Sequence, residues 1–255
     1  MQKACWLLVF LASIAAHAPG CAGADTPPTY AVLSLVGDKL NIVATMRNVP
    51  SRDARRDAPL ALTGSRFDNT INRAVGDAVQ SVVPLANVIE LTPRTRYLFS
   101  DQHLHFAEKN GLMSVPVEIS EALEKNKANY IVLVTKHRAV PGFMLTNFSQ
   151  RAGTLEGLGF FLDGALRGPN TVFPELGRGN IAAFAFINIY LVDVATFSVL
   201  NMQRLKASVS LAPEDSIFDA VLFWEKVPID QKIKVIDQLL RRETLRVVPQ
   251  LMGAR

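Results

Sequence analysis

Residues 67–92 read FDNTINRAVGDAVQSVVPLANVIELT, and this stretch sets the expected fold class. Phe67, Ile71, Ala74, Val75, Ala78, Val79, Val82 and Val83 recur at spacings of three and four until Pro84 interrupts them, which is the period of an amphipathic helix. One apolar stripe needs a sheet or a second helix to cover it, and Val88-Ile89-Glu90-Leu91-Thr92 follows with the composition of a strand. Upstream, Thr29 to Leu35 and Leu40 to Thr45 are apolar, β-branched runs separated by Val36-Gly37-Asp38-Lys39. That spacer has the composition of a hairpin turn, so a strand pair with a structural turn at Gly37 and Asp38 is expected to open the fold.

Working outward, Arg47 to Arg66 mixes charges without periodicity and is expected to be a solvated loop. Ser100 is placed to cap a helix over Asp101 to Asn110 that Gly111 ends, and a further helix is expected from Pro116 to Lys127. Tyr130-Ile131-Val132-Leu133-Val134 is continuously apolar, as a central strand covered on both faces must be. Ile181 to Val194 and Val199 to Leu211 read as a long hairpin, with a change of apolar phase near Arg204 that suggests a bulge. A helix spaced at Ile229, Ile233, Ile236, Leu239 and Leu240 closes the chain. The expected class is therefore α/β: a mixed sheet with helices packed on at least one face and a long carboxy-terminal β-hairpin.

The chain has 255 residues, 49% of them hydrophobic and 20% charged, which excludes disorder, and a formal charge of +4 is too small to mark a nucleic-acid binder. Lys3 is the only acidic or basic side chain, histidine aside, before Asp25, and Trp6 to Ala16 is an uncharged run, apolar except for Ser13. That run is shorter than a membrane span and matches the core of an export signal. Residues 1–24 are expected to be a signal peptide, with Ala16-His17-Ala18 and Ala22-Gly23-Ala24 as cleavage sites and Gly20-Cys21 as a lipid-attachment point. Cys5 and Cys21 are the two cysteines of the sequence, so removal of the leader leaves no thiol for a disulfide or a zinc site. Residues 25–255 show no repeat and no polar linker and are expected as a single α/β domain with a Gly-rich excursion at 141–180. The location this implies is the periplasm or an outer-membrane anchor.

Few residues offer chemistry. Gly37-Asp38-Lys39-Leu40 resembles the Gly-Asp-Ser-Leu block of an esterase family, but Lys39 holds the nucleophile position and no Asp-x-x-His occurs late in the chain. Asp101, His103 and His105, with Glu108 and His137 elsewhere, have metal-ligand chemistry, yet helical spacing scatters them; no metal and no cofactor is expected. Gly153, Gly157 and Gly159 do not form a nucleotide loop, because Leu162 stands where the third glycine belongs. The excursion carries Phe143, Phe148, Leu158, Phe160 and Phe161, which either fold into the core or present a partner-binding loop.

Asn129-Tyr130-Ile131-Val132-Leu133-Val134, a long insertion, and then Leu191-Val192-Asp193-Val194-Ala195-Thr196-Phe197-Ser198-Val199-Leu200 resemble the strand and Asp-x-x-Thr-Gly turn of envelope α/β domains. These are the curli-secretion lipoproteins, the amino-terminal domain of the Tol-system propeller protein and lipoprotein activators of cell-wall synthases. Phe197 replaces the usual glycine, and Asn129 the usual aspartate. The resemblance implies a non-enzymatic envelope protein that binds protein partners or assembles into a ring, with no catalytic residues to transfer; from charge and leader, no nucleic-acid partner is expected, and a lipid on Cys21 is the expected contact with a membrane surface. Independently of it, Asp193 and Thr196 have the side chains to reverse the strand by bonding nearby backbone. The expected function is an exported bacterial cell-envelope accessory or assembly protein acting by binding; the alternative is a hydrolase related to the Gly-Asp-Ser-Leu esterases with a degenerate nucleophile.

Overall fold

The computed structural model describes residues 26–37, 39–46, 55–62, 64–141, 154–164, 180–211 and 224–253. Its spine is an antiparallel ribbon of β10 (Asn180–Asp193) and β11 (Val199–Ser210). The free edge of β10 is shared by two strands. Its first half, Asn180 to Phe186, pairs antiparallel with β9 (Leu155–Gly164), and its second half, Ile187 to Asp193, pairs antiparallel with β7 (Tyr130–Lys136). β9 and β7 therefore lie end to end along one strand.

Two wings extend from there. β1 (Thr29–Ser34) runs parallel to β7, and β4 (Asn87–Leu91) lies parallel outside it. β2 (Lys39–Met46) runs parallel to β9, with β3 (Arg55–Ala61) antiparallel outside it. With the short β8 (Arg138–Ala139) against β9, these strands make a nine-stranded mixed sheet among the described residues. A second, two-stranded sheet joins β5 (Glu108–Lys109) to β6 (Leu112–Met113).

Helices cover both faces. On one face α1 (Arg66–Val82) and α4 (Ile229–Leu251) pack together over Val32, Val134, Phe160, Ala185 and Ile189, pinned by Arg66 Nε on Asp237 Oδ2 at 2.8 Å and by the Thr70 hydroxyl on Asp237 Oδ1 at 3.0 Å. On the other face Ile119 and Leu123 of α3 (Val117–Lys125), with Leu98 and Phe106, meet Ala31, Leu33, Ile131 and Leu133. Alternation along β1 and β7 sends successive side chains to these two cores, which is why both strands read as unbroken apolar runs. A third cluster holds Phe161, Phe184 and Phe186 on the second face of the other wing.

The fold class expected from the sequence is the one observed, and four local expectations are corrected. β1 and β2 are not a hairpin. Both run antiparallel to β10, so the chain jogs after Ser34 and continues in the same direction, with Gly37 at φ +79°. Turn composition reports that the chain bends, not by how much, and here both strands are claimed on each edge by other partners. The expected loop at 47–66 contains β3, and the expected helix over Asp101 to Asn110 is a single turn, α2 (Gln102–His105), followed by the β5–β6 hairpin. Asn110 at φ +55° and Gly111 at φ +77° make the tight turn that an Asn-Gly pair favours. The ribbon's irregularity lies at Leu191/Val192 rather than near Arg204.

β2 and β9 approach closely where Gly159 pairs with Asn41: a Cβ on Gly159 would stand 1.9 Å from the Asn41 carbonyl oxygen. Gly159→Ala must push two central strands apart and is expected to lower stability by about 3 kcal/mol, read from the urea unfolding midpoint at unchanged m-value.

Candidate functional site

The breaks in the two wings fall at one level of the sheet. There the chain jogs between β1 and β2, β7 leaves the edge of β10, and β9 takes its place. Backbone that leaves a ladder inside a protein must find other partners, and at this waist polar side chains supply them. The Asp68 carboxylate, in the first turn of α1 and 4% exposed, accepts through Oδ1 from the Ser34 hydroxyl at 2.7 Å, the Val36 amide at 2.9 Å and the Gly37 amide at 3.3 Å. From the other face Gln102, 7% exposed, donates through Nε2 to the Leu35 carbonyl and accepts through Oε1 from the Lys136 amide at 2.8 Å. His137 donates its amide to Phe186, its carbonyl accepts from Gly157, and Asn41 Nδ2 donates to the Glu156 carbonyl.

Charge follows the same geometry. The Lys136 ammonium donates to the Phe99 carbonyl, and burial holds it below its ordinary pKa against the pull of Glu156, Asp68 and Asp101, with Lys39 lowering it further. Burial also depresses the His137 imidazole; Arg204 and Lys206 on β11 act in the same direction, and Glu156 opposes them. On β10, Asn188 Nδ2 donates to the Tyr190 hydroxyl at 3.1 Å, while Asn188 Oδ1 is buried without a hydrogen-bond partner among the described residues. Burial raises the Tyr190 pKa, opposed by the Asn188 bond and Arg204 and reinforced by Glu108.

In open α/β sheets ligands enter the crevice at the carboxyl ends of parallel strands. At the ends of β1 and β7 that space is taken by Asp68 and Gln102. Two successive amides, those of Val36 and Gly37, make a small anion-binding pair, and its anion is the chain's own carboxylate. A cleft of about 270 Å3 near the end of β4 is lined by residues including Leu91, Arg94, Glu118 and Lys125, and one of about 440 Å3 by residues including Arg66, Arg73 and Asp237. Neither lining includes the waist residues.

The residues singled out from the sequence are scattered. Lys39 is exposed at the start of β2, while Asp38, Cys21, Phe143 and Phe148 lie outside the described residues. Of the two readings of the excursion, Leu158, Phe160 and Phe161 take the core one rather than the partner-binding loop: they belong to β9 and are buried, because their strand lies between β2 and β10. Asp101 precedes α2 at φ +46°, His105 meets the ring of Tyr97 edge-on at 5.0 Å, and His103 is exposed. Among the described residues no group of three or more His, Cys, Asp or Glu is placed to hold a metal ion. The ribbon turn is built as its residues suggest: Asp193 Oδ1 accepts from the Thr196 amide at 2.9 Å and hydroxyl at 2.8 Å, and Phe197 takes φ +54°, a conformation that suits glycine. Ser34, Asp68, Gln102 and Lys136 were not singled out from the sequence. For Asp68 the signal is present, since it lies three residues before Ile71 on the apolar stripe of α1.

No family model and no curated protein matches this chain. Solved structures do resemble it in outline. They include a PelC dodecamer from Paraburkholderia phytofirmans (10% identity, TM-score 0.29, 90% of each chain covered). Others are a neuraminyllactose-binding hemagglutinin homolog from Helicobacter pylori (8%, 0.39, 90% of this chain and 89% of that one) and a lipoprotein from Neisseria meningitidis (7%, 0.28, 82% and 99%). Each score is below 0.5, so no property passes from these proteins to this one.

Asp68→Ala leaves three donors, two of them backbone amides, without their acceptor and is expected to cost about 3 kcal/mol by urea unfolding; Asp68→Asn, which keeps an oxygen, costs less. The folded chain holds His137 below its ordinary pKa, so the unfolded chain takes up the proton first as pH falls below about 6.5. Stability tied to neutral His137 is full above that pH and is lost as pH falls through the folded value. His137→Gln is expected to flatten this part of a plot of Tm against pH between about 7 and 5.

Proposed function

We propose that this chain is an exported bacterial envelope protein that works by binding, as an accessory or assembly factor, through self-association or an envelope protein partner. In this reading the leader directs export and is cut before Cys21, which receives a lipid, and the chain that follows forms one α/β unit outside the cytoplasm. The observation that carries the binding role is the filled crevice: Asp68 and Gln102 occupy the strand ends where an α/β enzyme would take its substrate, and their hydrogen bonds serve the fold. The esterase reading gains nothing from the geometry. The hydroxyl nearest its motif, that of Ser34, is fully buried and donates to a carboxylate, and Lys39 stands where that motif needs a nucleophile.

The leader supports export by its length, its apolar run and its small residues at 16–24. Among the described residues no helix is long and apolar enough to cross a membrane, a statement that leaves strand-built spans aside. Attachment by a lipid is therefore the route to a bilayer that this reading uses.

Fractionation of cells producing the chain, with mass analysis of its amino terminus, tests the reading. The expected result is recovery from the envelope with residues 1–20 removed and Cys21 acylated. A free Asp25 terminus in the periplasm keeps export and removes the anchor; recovery from cytosol with Met1 attached overturns the reading.

A further inference from the structure

One end of the sheet gathers exposed leucines around the point where the amino-terminal segment joins the fold. The Thr29 amide, at the start of β1, donates to Asn129 Oδ1 at 2.8 Å, and the Asn87 amide donates to the Pro28 carbonyl at 3.0 Å. The segment before Thr29 thus enters between the first residues of β4 and β7. The same end carries the Asp193–Ser198 turn and, against it, the β5–β6 hairpin, whose Gly111 carbonyl accepts from the Val199 amide at 2.7 Å and whose Leu112 bridges Ser198.

Three leucines project there. Leu85, two residues before β4, is 79% exposed; Leu112, in β6, is 51% exposed; Leu200, second in β11, is 53% exposed. β11, β10, β7, β1 and β4 follow one another at about 4.8 Å, so the leucines flank the entering chain across about 20 Å. Exposed Lys109 and Lys127 lie at this end, with exposed Glu108 and Glu124 as counter-charges, while the Asp193 carboxylate is engaged by its own turn.

We infer that this end of the sheet rests on a phospholipid bilayer, with Leu85, Leu112 and Leu200 at the headgroup boundary. The inference rests on the reading of Cys21 as lipid-bearing. Seven residues, 22–28, separate Cys21 from Thr29, eight steps with a reach of at most about 29 Å when fully extended. A tether that short, joined at the start of β1, brings this end to the lipid rather than the end formed by Asn180 and Ser210. Lipid chains alone give weak attachment unless a second contact adds to them; exposed leucines and surface lysines are contacts of that kind.

The full chain, recovered from the envelope and reconstituted in phosphatidylethanolamine–phosphatidylglycerol vesicles, tests this. Leu85→Cys, Leu112→Cys and Leu200→Cys each receive an environment-sensitive fluorophore. Ser208→Cys, about 26 Å along β11 from Leu200, is the reference. With the leader gone and the Cys21 thiol acylated, the introduced thiol is the single one available. The expected result is a several-fold emission gain at the three leucine positions, quenched by a lipid-borne quencher, with Ser208→Cys unchanged. Four equal signals, or none at the leucines, on a chain whose mass shows the lipid overturn the inference and leave the anchor intact. A chain whose mass lacks the lipid overturns the anchor and the inference together. Emission that grows with protein concentration without vesicles assigns the leucines to contact between copies and overturns the inference.

Discussion

The Asp68 carboxylate, accepting hydrogens from the Ser34 hydroxyl and the Val36 and Gly37 amides, allows the sheet of this protein to be interrupted at its centre. Backbone amides stripped of both ladder and water cost as much as any buried polar group. Asp68 answers that cost from one face and Gln102 from the other. Without such partners β1 would have to continue straight into β2 or leave the sheet. With them, the chain shifts sideways between β1 and β2 and resumes beside a different neighbour.

The rest of the architecture follows from that jog. β1 and β2 lie one beyond the other, as do β7 and β9, and the unbroken β10–β11 ribbon splices the two wings. α1 supplies Asp68 at its start and an apolar stripe along its length, so one helix both covers the sheet and repairs its interruption. The same repair fills the crevice in which α/β enzymes hold substrates.

Much of this was legible in the residue order. α1, β7, the β10–β11 ribbon and α4 were each visible because one apolar period, either helical or continuous, persists over a whole element, and the Asp193–Thr196 turn because its side chains bond their own backbone. β9 was hidden by its glycines, which weaken strand propensity yet at Gly159 admit the neighbouring strand. The α2 segment was misread because Ser100, Asp101 and Gly111 resemble helix caps, while the stronger local signal, Asn110-Gly111, marks a hairpin. The waist itself was missed: a serine, an aspartate, a glutamine and a lysine far apart in sequence have no shared spacing to betray them.

Local pattern alone determined the α/β class and most element boundaries, because each depends on residues within a few turns or strands of one another. Only the tertiary structure decided which strands pair, that β1 and β2 run on in one direction rather than forming a hairpin, and that Asp68 serves backbone amides. Those outcomes turn on competition among edges and donors brought together from distant parts of the chain, and a contact such as that between Asp68 and Ser34 exists only once β1 and α1 have packed.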